Sequence, residues 1–231
     1  MTLKIDAMTL EKWPGFMAGF LVAKDVEVLP AGEESQRLLA NWAGKVKEKY
    51  KNIEELARYP HTLAYNHFAE EMGLLPKDLF LADQQIKRCL LDKPLRSINS
   101  VVDAYFKYEL WHNLSIGAHN IDEIRGFYGF EPATSGEKYE IIGSEKWLVR
   151  ENELIAKDEE GVIYSFSGGD TERTKIVPGR HNILIRIDAA PGIEKESVES
   201  CLKDIAKELG QGEFEWGEIF ILDTENREIS F

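Results

Sequence analysis

The sequence is short of cysteine, of positive charge and of long apolar runs, and each shortage removes a class of protein. Two cysteines in 231 residues, Cys89 and Cys201, cannot frame a disulfide-stapled fold. Each lies on a helix-period apolar pattern, so both are expected as buried thiols in a reducing compartment. No apolar run approaches the roughly 20 residues that cross a bilayer. The N-terminal MTLKIDAMTLEKW carries charges where a secretory signal would be apolar. The expectation is a cytoplasmic protein with no membrane partner. Lysine and arginine number 28 against 41 acidic residues, a net charge of −13. Binding to duplex nucleic acid needs a basic field, so DNA is not an expected partner and any contact with RNA must use a local patch.

The common mechanistic motifs are missing as well. There is no P-loop, no GxGxxG after a strand, no HExxH, no GxSxG and no paired CxxC. Of the five histidines, at positions 61, 67, 112, 119 and 181, no two are spaced i, i+4 on a helix, the spacing that would set two imidazoles on one metal. No metal and no cofactor are expected.

What is present is ample apolar side chain, 43% of residues, enough for a core in one domain. Phe16 to Val22 reads as a strand. Helical periods follow over Glu33 to Tyr50, Ile53 to Arg58 and His61 to Met72, and Asp83 can cap another with Ile86, Cys89 and Leu90. Ile98, Val101, Val102, Tyr105, Phe106 and Trp111 recur every three or four residues, with Asn113 a natural C-terminal cap. Beyond Gly126 short runs punctuated by turns predict strands at Tyr139 to Ile142, Lys146 to Val149, Leu154 to Ala156, Val162 to Phe166, Lys175 to Val177 and Ile183 to Ile187. Ser197 then caps a helix that Gly210 ends, and Asp223 to Asn226 suggests a hairpin joining Glu218–Leu222 to Arg227–Phe231. Helices first and strands second indicate an α+β fold, with a helical N-terminal half packed on a mixed, mostly antiparallel sheet. The expected organisation is a single domain over 1–231: a strand and helical extension at 1–59, a core at 60–210 and a terminal hairpin at 211–231.

Two segments could carry chemistry. After the helix, Gly117-Ala118-His119-Asn120 reads as a small, polar turn where a ligand can approach the backbone, and an imidazole at His119 could orient or deprotonate a water. The second segment is Ser165-Phe-Ser-Gly168-Gly169-Asp170, followed by Arg173 and Thr174. Its glycine pair is either a nest of backbone donors between charges of opposite sign or a bulged turn with a surface ion pair. Lys87, Arg88, Arg96 and Arg173 are locally basic, either solvated or in contact with phosphates.

Arg96, Ile98, Asn99, Val101, Val102 and Asp103, then Ala118, Asp122, Ile124 and Gly126, together resemble the B3 part of the B3/B4 region of bacterial phenylalanyl-tRNA synthetase β subunits. Gly168-Gly169-Asp170, Thr174 and the strand near Asn182 resemble its B4 part. Gly117 stands where that pattern has a histidine, and Asp170 stands where it has a glutamate. The chain is similar to free-standing B3/B4 proteins, with no room for a ligase core. The resemblance implies a barrel-like B3/B4 core and trans-editing: hydrolysis, by an activated water, of a mischarged aminoacyl-tRNA. It implies His119 and Asp170 as catalytic groups and a substrate pocket of Asn99, Asp103, Gly117, Ala118, Ser165, Gly168, Gly169 and Thr174. Lys87, Arg88, Arg96 and Arg173 would contact the tRNA. The partner would be an aminoacyl-tRNA or its aminoacyl-adenosine end. The alternative is a non-catalytic module that binds a free amino acid, a nucleotide or a tRNA end.

Overall fold

Where the period of the apolar residues changes from helical to alternating, the backbone changes with it. The computed structural model describes residues 1–76, 79, 82–143, 146–210 and 218–231. It begins with β1 (Thr2–Ile5), the one-and-a-half-turn helix α1 (Ala7–Lys12) and the long strand β2 (Met17–Val28). Four helices follow: α2 (Glu33–Tyr50), α3 (Ile53–Ala57), α4 (Pro60–Glu71) and α5 (Ala82–Leu90). Helix α6 (Ser100–His112) starts at Asn99, whose side chain accepts from the Val102 amide at 2.9 Å, and stops at Asn113 in the left-handed conformation. The strands then come in succession: β3 (Ser115–Asn120), β4 (Phe127–Pro132), β5 (Lys138–Tyr139), β6 (Trp147–Leu148), β7 (Leu154–Asp158), β8 (Gly161–Ser165), β9 (Gly169–Asp170) and β10 (Gly179–Ala189). Helix α7 (Lys195–Gly210), β11 (Glu218–Leu222) and β12 (Glu228–Ser230) complete the chain.

Two sheets carry the architecture. One is six-stranded, in the order β12-β1-β4-β7-β8-β9, with β1 and β4 parallel and the other pairs antiparallel. The other is four-stranded and antiparallel, β11-β2-β10-β3. They face each other across an aromatic core in which Phe20 meets Tyr128 and Phe130 at centroid distances of 5.8 and 6.2 Å. Helix α7 covers the opposite face of the four-stranded sheet. It approaches so closely that a Cβ at Gly19 would strike Val198 and lie 3.0 Å from Leu202, which is why β2 carries a glycine there. Helices α2, α3, α5 and α6 enclose a second core of Leu39, Val46, Leu56, Ile86, Cys89 and Leu110.

The α+β architecture with a mostly antiparallel sheet is as the sequence implies, but the two sheets remain open and close no barrel. Several local expectations are corrected. The strands of the first 59 residues are built into both sheets, β1 between β12 and β4 and β2 between β11 and β10. Lys175 to Val177 is irregular; the Ile176 carbonyl there accepts from Asn99 Nδ2 at 3.3 Å. The terminal strands do not pair as a hairpin. The Asp223–Asn226 turn forms, but β11 adds to β2 and β12 to β1, since each has an open sheet edge to join. Residues 211–217 of the expected terminal hairpin segment lie outside the described residues. The supposed turn at Gly117 is β3, paired along its length with β10.

Candidate functional site

Strand β10 runs Ile-Leu-Ile-Arg-Ile-Asp-Ala, and its alternation sends Arg186 and Asp188 to the face opposite α7, into the space between the sheets. Both are buried. Arg186 survives there because it is fully partnered. It donates to Asp188, donates from Nη2 to Asp170 Oδ1 at 2.7 Å, and stacks 3.5 Å from the centroid of Tyr164. Burial raises the Asp188 carboxyl above its ordinary range. At Asp170 burial also pushes upward, but Arg186, His119 and the Ala118 amide together hold that carboxyl below its ordinary value. Asp170 keeps a side-chain exposure of 15%, so the cluster meets solvent there.

His119 points from β3 into the same cluster and is 0% exposed. Nδ1 lies 2.7 Å from Thr174 Oγ1, and Nε2 lies 3.4 Å from both Arg186 Nε and the Tyr128 hydroxyl. A guanidinium can only donate, so Nε2 is the acceptor and Nδ1–H donates to Thr174. Burial lowers the imidazole to about 4, so near neutral pH it is uncharged, and its 3.4 Å approach to Asp170 is not an ion pair. Both ring nitrogens are engaged, and neither faces solvent. Beside it, a Cβ built on Gly117 would come within 2.6 Å of Arg186 Nη2 and 2.7 Å of Asp170 Oδ2. The ion pair occupies the place of a side chain at position 117.

The other sequence candidates divide between scaffold and surface. Asn99 caps α6, and Asp103 accepts from the Ile98 amide at 2.9 Å and from the Ser97 hydroxyl at 2.5 Å. Both are engaged in holding the start of α6. Ser165 Oγ takes the Gly168 amide at 3.0 Å and also bonds the Tyr139 hydroxyl, which donates to the Gly169 carbonyl at 2.6 Å. The Gly168 amide expected as a donor in a backbone nest is therefore already committed to the turn. Arg173 is not Asp170's counter-charge. It forks onto Asp158 at 2.8 and 2.9 Å and donates to the Glu123 carbonyl, clamping the hairpin of β7 and β8. Lys87 is paired with Asp83 at 2.7 Å, one helical turn away.

Arg88 and Arg96 come together. Both are exposed, and both line a groove of about 380 Å³ between α5 and α6, with Gln85, Ile98, Val102, Tyr105, Phe106 and Glu109. Positions 102, 105, 106 and 109 share one face of α6. Glu109, 8% exposed, is the most buried of the lining residues. Burial raises its carboxyl well above the ordinary range, with Arg186 pulling the other way; burial and Asp170 likewise raise Tyr105. The groove thus lies close enough to the buried cluster for the charges of Arg186 and Asp170 to act on Glu109 and Tyr105. Sequence reasoning missed Arg186, Asp188, Glu109 and Tyr105. The available signals were two charges alternating inside the apolar run of β10 and an acid on the apolar face of α6.

The class these features define is an α+β domain of two open sheets and a helical layer, with a groove of about 380 Å³ near a buried charge cluster. The chain belongs to the B3/4 domain family, whose model matches residues 81–209, more than half of its length and all of the groove and cluster. The phenylalanine–tRNA ligase β subunit of Mycoplasma pneumoniae is 25% identical over 142 residues, which are 58% of this chain and 17% of that protein. The chain therefore spans about a sixth of that curated relative. The crystal structure of an N-terminal fragment of the phenylalanyl-tRNA synthetase β subunit from Pyrococcus horikoshii aligns with 96% of this chain and 53% of that one, at 14% identity and a TM-score of 0.46.

Proposed function

We propose that the protein is a trans-acting deacylase that clears a mischarged aminoacyl-tRNA in the cytoplasm. The observation that carries this reading is the groove itself, which Arg88 and Arg96 line and whose Tyr105 and Glu109 feel the charge of Asp170, all within the B3/4 span. The arginines would take phosphates of the tRNA end, and the aminoacyl group would lie along α6. A water would attack the ester carbonyl carbon. The bond to the ribose oxygen breaks, and that oxygen leaves with a proton from the water. Asp170, ionised and partly reachable, orients the water, and the neighbouring ribose hydroxyl assists. His119 acts from behind as a positioning residue, since its Nε2 fixes Arg186, which fixes Asp170. No resident metal or cofactor enters the reaction.

The enclosed, neutral imidazole favours a second reading, a non-catalytic module that binds a free amino acid, a nucleotide or a tRNA end. Incubation with a panel of mischarged tRNAs separates the two. Deacylation predicts that one ester disappears faster than without protein, and that Asp170→Asn costs on the order of 100-fold in that rate. If no ester is cleared above background, the deacylase reading fails and the binding module remains.

A further inference from the structure

Two carboxylates claim one guanidinium between the sheets. Arg186 donates from Nη1 to Asp188 Oδ2 and from Nη2 to Asp170 Oδ1, the latter at 2.7 Å. One positive charge neutralises one acid, so with both ionised the trio carries a surplus negative charge in a buried place. A single proton removes the surplus, and the surroundings decide which acid takes it. Asp170 keeps a side-chain exposure of 15%, and the Ala118 amide supports its charge. The Asp188 side chain is at 0%, and its Oδ1 is buried with no hydrogen-bond partner among the described residues. The other titratable groups that act on Asp188 are Tyr164 from β8, Tyr128 from β4, Tyr65 from α4 and Glu109 from α6. None of them is a cation. His119, from β3, lies against Arg186 and is uncharged near neutral pH. The first proton therefore belongs to Asp188, in keeping with burial raising that carboxyl while Asp170 is held low.

We propose that Asp188 is a positioning residue that divides Arg186 with Asp170, and so sets how strongly Asp170 attracts a proton of the water it orients. Ionised, Asp188 draws on the charge of the guanidinium, and Asp170 is the stronger base. Once Asp188 accepts a proton from solvent its claim on Nη1 weakens, Arg186 serves Asp170 alone, and Asp170 becomes the weaker base. No other bond forms or breaks. This rests on the proposed role of Asp170 toward water, but the coupling of the two acids does not depend on an ester being cleaved.

The test is carbon NMR of the protein labelled at its aspartate carboxyl carbons and titrated downward from neutral pH, with Asp170→Asn and Asp188→Asn assigning the two resonances. Asp188 should protonate first. The Asp170 resonance should move twice, once with Asp188 and again with its own protonation, at midpoints at least about one pH unit apart. Asp188→Asn should abolish the first movement, whereas Glu109→Gln, which removes the other nearby acid, should leave both. Asp170→Asn should lower the Asp188 midpoint by about one pH unit or more, because Arg186 then serves Asp188 alone. A role confined to packing would move none of these. Protonation of Asp170 before Asp188 overturns the inference. Should Asp188→Asn not fold, Asp170→Asn still assigns Asp170, and a single movement of its resonance overturns the inference as well. Where an ester is cleaved, the rate should fall through the Asp188 midpoint. In Asp188→Asn it should be flat there and roughly threefold lower at neutral pH, the consequence of a base weakened by about one pH unit. Coupled titration without cleavage would support this inference and sink the deacylase reading. Cleavage with the same acid limb in Asp188→Asn would do the reverse.

Discussion

Gly117 determines what chemistry the cluster can host. With no side chain there, Arg186 and Asp170 close on each other beside the β3 backbone, and an imidazole at that position would have to break their ion pair. The histidine present, His119, is instead sealed between Thr174 and Arg186. Its folded value of about 4 lies below the ordinary 6.5, so the unfolded chain takes up a proton that the folded one resists. The stability it contributes is complete above pH 6.5 and is lost as the pH falls toward 4, about 3 kcal/mol in all. Glu109 and Asp188, whose values are raised, run in the opposite sense, so the comparison must be made against a variant. Urea unfolding across that range should show the unaltered protein losing about 3 kcal/mol more than His119→Asn. Parallel pH profiles would mean that the imidazole is not buried neutral. None of this was legible at single positions, because which residue faces which depends on the register of β3 against β10.

At the scale of elements, boundaries written in capping chemistry were readable. Asn113 ends α6 as its type and place suggest. Strand β3 was not readable, because Gly-Ala-His-Asn has little intrinsic strand preference and is extended only by its ladder to β10. The terminal strands were recognised as strands but assigned the wrong partners, since pairing belongs to whichever sheet edge is open. The family resemblance implies Asn99 as a pocket residue, and in the structure it is a joint: it caps α6 and donates to the Ile176 carbonyl of the loop before β10. Asn99→Ala should therefore cost about 1–2 kcal/mol in urea unfolding at neutral pH, the range of a lost N-cap. A loss below a few tenths would show that the joint does not hold the helix start.

For the whole molecule the governing fact is a charge of −13 that nonetheless leaves two adjacent arginines unneutralised at the groove mouth. The acidic surface repels most of a polyanion, so the proposed engagement of tRNA has to be confined to the single-stranded end that reaches the groove. The basic patches were visible in the sequence, but their division was not. Lys87 and Arg173 are consumed by Asp83 and Asp158, and only the fold shows that Arg88 and Arg96 converge across the gap between α5 and α6. Salt dependence separates the groups. Each phosphate contact to a single strand contributes about 0.7 to the slope of log affinity against log salt. Fluorescence anisotropy with tRNA at increasing potassium chloride should thus give a slope lower by about 1.4 in the Arg88→Ala, Arg96→Ala double variant. Lys87→Ala, whose charge is already paired, should leave it unchanged. An unaltered slope in the double variant would remove the groove mouth from the RNA contact, and with it the route by which a tRNA end reaches Asp170.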